Sequence, residues 1–172
     1  MTVPRAWAAA LRVAASLTLF GAAAASGQTP AAAGGAAAAT APARAAQCGA
    51  CHGVDGHSTL ALGPSLAGQP RVFLENTLIM IREDLRPIAA MKGQIDGVGD
   101  AEIVALADHY SRLPTRAEAG PRDEAALRRG EALASRNLCG TCHLPSYAGQ
   151  PQMPRLAGQR QDYLAHCFAQ LR

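Results

Sequence analysis

The sequence predicts an all-α chain of two tandem domains, and three observations carry that prediction. Two C-x-x-C-H segments, "CGACH" at 48–52 and "CGTCH" at 139–143, stand 91 residues apart, and two P-x-L-A-G-Q segments, at 64–69 and 154–159, stand 90 apart. Two linked motifs recurring at one spacing mark a duplicated unit with a one-residue loop difference. In the first copy, apolar residues fall at helical spacing, first Leu74, Leu78, Ile81 and Leu85, then Ile103, Leu106, Ala107 and Tyr110. Finally, "LPTRAEAGPRD" at 113–123 brackets charge with Pro and Gly, as a linker does.

The elements follow in chain order. Arg5 and Arg12 precede the short apolar run "VAASLTLFGAAAA" and the small residues "ASGQT", the order of a secretory signal peptide cleaved near Gly27. A permanent anchor is the weaker alternative, because the thirteen residues of that run are short for a bilayer. Residues 28–43 are low-complexity Ala, Gly and Pro and read as a lead-in. A first domain is expected over 44–115, a linker over 116–122 and a second domain over 123–172. Without residues 1–27 the chain keeps fourteen Lys and Arg against thirteen acids, a net charge of +1 that offers no case for nucleic acid. Segments of about seventy and fifty residues are near or below the size at which side chains alone build a sufficient core. Something else should supply apolar contact.

In the first domain Asp100 is expected to cap the second of the two amphipathic helices, with Glu102 in its first turn. Met91 falls in the loop between them. The second domain opens with "PRDEAALRRGEALASRNLCGTCH", in which Ala125, Leu127, Leu133 and Leu138 keep a helical register. The first has Pro42 in the place of Leu133, so its opening helix should be shorter.

The repeated motif carries the chemistry. Two thiols three positions apart can bond the two vinyl groups of one haem, and a His directly after the second stands under the iron. Cys48, Cys51 and His52 form one such set, and Cys139, Cys142 and His143 the other. A disulfide, a redox dithiol or half of a zinc site would each use C-x-x-C, but none explains a His after both pairs. The expectation is therefore two covalently attached haem c groups. Met91 has the thioether needed for a second axial ligand, with a gap-filling core methionine as the alternative. Cys167 reads as a small hydrophobe on a helix face, and His57 and His109 as solvated surface residues.

These residues resemble the cytochrome c4-type di-haem cytochromes, in which two class I cytochrome c domains are fused. The resemblance covers 44–172 and rests on "CGACHGVDG", "GPSLAGQ", "RVFLENTLIMIRED", "RPIAAMKGQ" and "GVGDAEIVALADHYSRL". It implies that Met91 is the sixth ligand of the first haem. It also implies that the carbonyls of Pro64 and Pro154 accept hydrogen bonds from His52 and His143.

The second domain departs from the pattern. Applying the 90-residue offset puts the counterpart of Met91 at position 181, past Arg172, and the counterpart of the closing helix is missing too. Met153 and His166 would each have to relocate to serve as a ligand. The expectation is a second domain lacking its C-terminal helix, with a fragment or a stopped reading frame preferred over a natural truncation or completion by a partner chain.

Functionally, the expectation is an exported, periplasmic electron carrier without catalytic residues, and the resemblance implies that it passes electrons from a quinol-oxidising complex to a terminal oxidase. Peripheral membrane association is compatible with it. A cytochrome subunit docked to a periplasmic dehydrogenase is the alternative from the interaction class. A peroxidase-like protein with an open second haem is the enzymatic one, and it requires a high-spin haem that binds carbon monoxide.

Overall fold

The computed structural model describes residues 41–117 and 120–171, whose regular elements are all helical, with one isolated bridge between Gln150 and Met153. The leader and most of the low-complexity lead-in lie outside the described residues. Among the described residues no helix is long and apolar enough to cross a membrane. Both repeats fall within one compact unit.

The first repeat comprises α1 (Ala45–His52), α2 (Arg71–Arg82), a 3-10 turn (Ala89–Met91) and α3 (Asp100–Arg112). The apolar stripe of α3 behaves as its spacing requires, with Ile103, Leu106, Ala107 and Tyr110 all buried. Two adjoining clusters form on it. One joins Ala45, Leu74, Leu106, Ala107 and Tyr110 with the half-buried Cys48, and the other joins Ile95, Val98 and Ile103 with Met91. Leu78 of α2 packs against both.

Charge pairs fasten the helix ends. Arg44 meets Glu102 at 2.9 Å, tying the start of α1 to the first turn of α3. Arg82 meets Asp100 at 2.8 Å and donates to the Val98 carbonyl at 2.8 Å, tying the end of α2 to the start of α3. These partly exposed pairs orient more than they stabilise. Asp100 is thus the first residue of α3, with Gly99 in the capping position, and is not the side-chain cap that the sequence suggested. Its carboxylate is engaged by Arg82 and still sits favourably at the positive end of the helix. Helix α2 also stops earlier than the apolar spacing implied. Asp84 turns left-handed at φ 57°, the amides of Leu85 and Arg86 return to the Met80 carbonyl, and Leu85 is 70% exposed.

The second repeat comprises α4 (Glu124–Arg136), α5 (Cys139–His143) and α6 (Gln161–Gln170). Asp123 caps α4 by accepting from the amides of Ala125 and Ala126 at 2.8 and 3.0 Å. The opening helix is longer than its counterpart in the first repeat, as expected, but it does not run unbroken into the cysteines. Asn137 folds its side-chain amide back to the Leu133 carbonyl at 2.8 Å, and Leu138 turns left-handed at φ 56°. The Leu133 carbonyl also accepts the Asn137 backbone amide at 3.0 Å, so the side chain adds a second bond to it, and the helix ends where Leu138 reverses. No residue of α4, α5 or α6 is fully buried.

A polar seam joins the repeats. Gln69 and Gln159, both buried, bond the backbone of Arg155 and Ser65 respectively. Arg160 donates to the Ser58 carbonyl at 3.0 Å, and Asp162 accepts from the Leu62 amide at 3.0 Å. The linker crosses beside it, where His57 Nε2 donates to the Pro114 carbonyl at 2.9 Å. His57 is therefore buried, at 8% exposure, and is not the surface residue its polar loop suggested. His109 is half-buried edge-on to Tyr110.

Two outcomes are expected. Ile103→Ala removes a side chain 1% exposed and should cost about 2–5 kcal/mol in denaturant unfolding. Asp162 is held below the ordinary carboxylate value by the Arg160 guanidinium and then by the Leu62 amide. Because its folded value is depressed, its contribution to the seam is complete above the ordinary value of 3.8 and fades as pH falls toward the folded one. The Leu62 amide resonance should therefore hold steady down to that range and move only under stronger acid.

Candidate haem-binding site

Each C-x-x-C-H segment lies on a helix, so one turn presents both thiols and ends on the histidine. Cys48, Cys51 and His52 close α1, and Cys139, Cys142 and His143 make up α5 with Gly140 and Thr141. All four cysteines are free thiols, Cys48 and Cys139 half-buried and Cys51 and Cys142 exposed. Burial raises the Cys48 thiol, partly opposed by the Tyr110 hydroxyl and Arg44 beside it.

The two histidines have matching partners. His52 Nδ1 stands 2.9 Å from the Pro64 carbonyl and His143 Nδ1 stands 2.8 Å from the Pro154 carbonyl. A carbonyl oxygen only accepts, so Nδ1 carries the proton in both rings and Nε2 keeps its lone pair.

What holds those carbonyls in place is itself duplicated. After His52 the chain turns through 53–56, closed by the Gly56 amide on the Gly53 carbonyl at 2.9 Å, and the Gly56 carbonyl accepts from Leu66 and Ala67 at 2.8 and 3.1 Å. After His143 the turn runs through 144–147, closed by Tyr147 on Leu144 at 3.0 Å, and the Tyr147 carbonyl accepts from Leu156 and Ala157 at 2.9 and 3.0 Å. The P-x-L-A-G-Q segment is thereby folded back over its own histidine in each repeat.

The copies differ in residue type at these turns. Gly53 and Gly56 take φ of 82° and 75°, and a Cβ on Gly53 would stand 2.2 Å from the His57 carbonyl oxygen. Leu144 and Tyr147 occupy the equivalent places at φ of 66° and 55°. Leu144 also has ψ of 157°, in a region that favours glycine, so the second turn carries backbone strain that the first does not.

Met91 ends the 3-10 turn, half-buried against Ile95, Val98 and Ile103. It and Cys48 belong to adjoining clusters that share Leu78, which brings Met91 to the α2–α3 frame that also seats the haem-motif helix. In the second repeat Met153 and His166 are exposed. Cys167 is half-buried beside Tyr163, whose hydroxyl burial pushes up to about 12 with the thiol adding to the shift.

Two reduced thiols and one Nδ1-anchored imidazole per helical turn are a donor set that fits a c-type haem. No family model matches the chain. Cytochrome c4 of Pseudomonas aeruginosa is 33% identical over 130 residues, 72% of this chain and 65% of that protein. The chain overlays on the crystal structure of reduced recombinant cytochrome c4 from Pseudomonas stutzeri with a TM-score of 0.68 at 29% identity, covering 77% of this chain and 80% of that one. The chain belongs to the cytochrome c4-type family. A further relative, the thiosulfate dehydrogenase electron acceptor of Thiomonas intermedia, is 36% identical over 134 residues, 72% of this chain and 62% of that protein. The chain thus spans somewhat under two thirds of the length of these two curated relatives. As a cytochrome c4-type protein it is all-α and carries two haem c groups.

The glutamines of P-x-L-A-G-Q were missed as site residues, although their recurrence at a 90-residue offset was the available signal. The strain at Leu144 yields a test. Leu144→Gly should raise the stability of the haem-loaded protein by roughly 1 kcal/mol in denaturant unfolding, and an unchanged or lower midpoint would show that leucine packing offsets the strain.

Proposed function

We propose that this cytochrome c4-type chain is an exported, periplasmic carrier that takes up and releases one electron at each of two haems. The observation that carries the reading is the doubled arrangement of thiol pair and Nδ1-anchored histidine. In this reading Cys48 and Cys51 hold the first haem through thioethers and Cys139 and Cys142 hold the second. His52 and His143 ligate iron through Nε2, and Met91 is the sixth ligand of the first haem. When bound, each haem supplies reversible ferric–ferrous chemistry.

The rest of the work belongs to the chain. The Pro64 and Pro154 carbonyls fix the ring orientation and strengthen Nε2 as a donor. Leu78, Ile81 and Ile103 give Met91 an apolar setting, which supports its assignment as a ligand held clear of water. The reading assigns the repeats to two cytochrome c domains, 44–115 and 123–172, joined by 116–122, behind a leader over 1–27.

For partners, we infer transfer from a quinol-oxidising complex to a terminal oxidase. A second reading, electron acceptance from a periplasmic dehydrogenase, is favoured by the similarity to the thiosulfate dehydrogenase electron acceptor. Reduction of the purified protein by a thiosulfate-oxidising dehydrogenase, but not by a quinol-oxidising complex, would select that second reading.

The intact mass of the exported protein should correspond to a chain without its leader and with two haems, and one haem would defeat the di-haem assignment. Spectroelectrochemistry should show two reversible one-electron waves. Met91→Ala should leave the haem count unchanged, lower the potential of the first haem and open it to carbon monoxide. A spectrum and potential identical to the unsubstituted protein would return Met91 to a packing role.

A further inference from the structure

Gln69 and Gln159 occupy the same place in the two repeats, and each reaches into the other copy. Gln159 Oε1 accepts from the Ser65 amide at 2.9 Å, and Gln159 Nε2 donates to the Ser65 carbonyl at 2.9 Å. Gln69 makes the same two bonds with Arg155, both at 2.9 Å. Ser65 and Arg155 are equivalent in turn, so the four bonds form a pseudo-two-fold pair. An amide N–H only donates and a carbonyl only accepts, which fixes the orientation of both side-chain amides. At 5% and 7% exposure, Gln69 and Gln159 keep these bonds out of water.

The amide that Gln159 engages belongs to the peptide unit between Pro64 and Ser65. The oxygen of that same unit accepts the proton of His52 Nδ1. In the other copy, the unit between Pro154 and Arg155 gives its N–H to Gln69 and takes the His143 proton on its oxygen. One planar, resonance-linked peptide therefore carries the histidine on one side and the opposite repeat's glutamine on the other. Drawing on the N–H shifts electron density toward the oxygen, and hydrogen bonds chained in this way strengthen one another. A stronger acceptor at Nδ1 makes the ring a more basic ligand at Nε2.

We propose that Gln69 and Gln159 are positioning residues that tune the two haem-ligating histidines crosswise, Gln159 acting on His52 and Gln69 on His143. This rests on the ligation by His52 and His143 proposed above. A more basic imidazole favours ferric iron, so each glutamine lowers the reduction potential of the haem in the opposite repeat. The seam is then an electronic link as well as a mechanical one.

The test uses the haem-loaded protein with Gln159→Leu and Gln69→Leu. Three quantities are read: haem number by mass, the two potentials, and the Nδ1–H resonances of His52 and His143, which assign each potential to its repeat. Gln159→Leu should shift the His52 resonance and raise the potential of its haem, leaving the His143 haem near its original value. Gln69→Leu should do the reverse. A shift confined to the substituted repeat, an equal shift of both haems or no shift at all would overturn the proposal. If a variant does not fold, hydrogen exchange in the unsubstituted protein decides. Ser65 and Arg155 amides should be protected like those of α3, and exchange at the rate of open loops would overturn the link. A haem spectrum left unchanged by His52→Ala would instead defeat the ligation reading beneath it, whatever the glutamine variants show.

Discussion

The hydrogen bond from histidine Nδ1 to a proline carbonyl is the constraint on which the site depends. It decides the tautomer, leaving Nε2 with the only free lone pair on the ring. Its geometry is not local to the C-x-x-C-H helix, because the carbonyls of Pro64 and Pro154 arrive from loops 12 and 11 residues further on. Those loops are positioned by two amides that converge on the carbonyl of Gly56 or Tyr147. A short helix, a tight turn and a returning loop therefore act as one unit, and that unit was duplicated.

Duplication kept the hydrogen bonds more faithfully than the side chains. The first repeat places glycine at both left-handed positions of the turn, and the second places Leu144 and Tyr147 there under the same bonds. The surroundings differ as well. The first motif helix leans on α2 and α3 through Ala45 and Cys48, with Tyr110 donating to the Ala45 carbonyl at 3.3 Å. The second motif helix is followed by α6, where no residue is fully buried. A haem bound at each motif would add apolar contact, in keeping with the modest core that so few large side chains allow.

The seam between repeats shows how one short segment can serve two purposes. P-x-L-A-G-Q supplies the proline carbonyl to its own histidine and the glutamine amide to the neighbouring copy. Because the peptide after the proline is shared by both contacts, docking of the repeats and orientation of the histidine ring are physically coupled. Arg160 and Asp162, which have no equivalents in the first copy, add an asymmetric clamp on the 58–62 loop. The burial of His57 against Pro114 belongs to the same region, since the linker must pass there.

Residue order alone made the repeat and the haem-binding expectation legible. Thiol spacing, the following histidine and the recurrence at 91 and 90 residues are local or periodic features, and local features are readable from order alone. The stripe Ile103, Leu106, Ala107 and Tyr110 was legible for the same reason, because a helix buries whatever its period aligns. Tertiary structure decided what depends on partners far along the chain. Asp100 became an ion-pair residue because Arg82, eighteen residues before it, lies beside it, and His57 became buried because the linker brings the Pro114 carbonyl onto its ring. The crossed glutamines were decided there too, since a polar residue in a short motif reveals its partner only when the second copy is folded against the first.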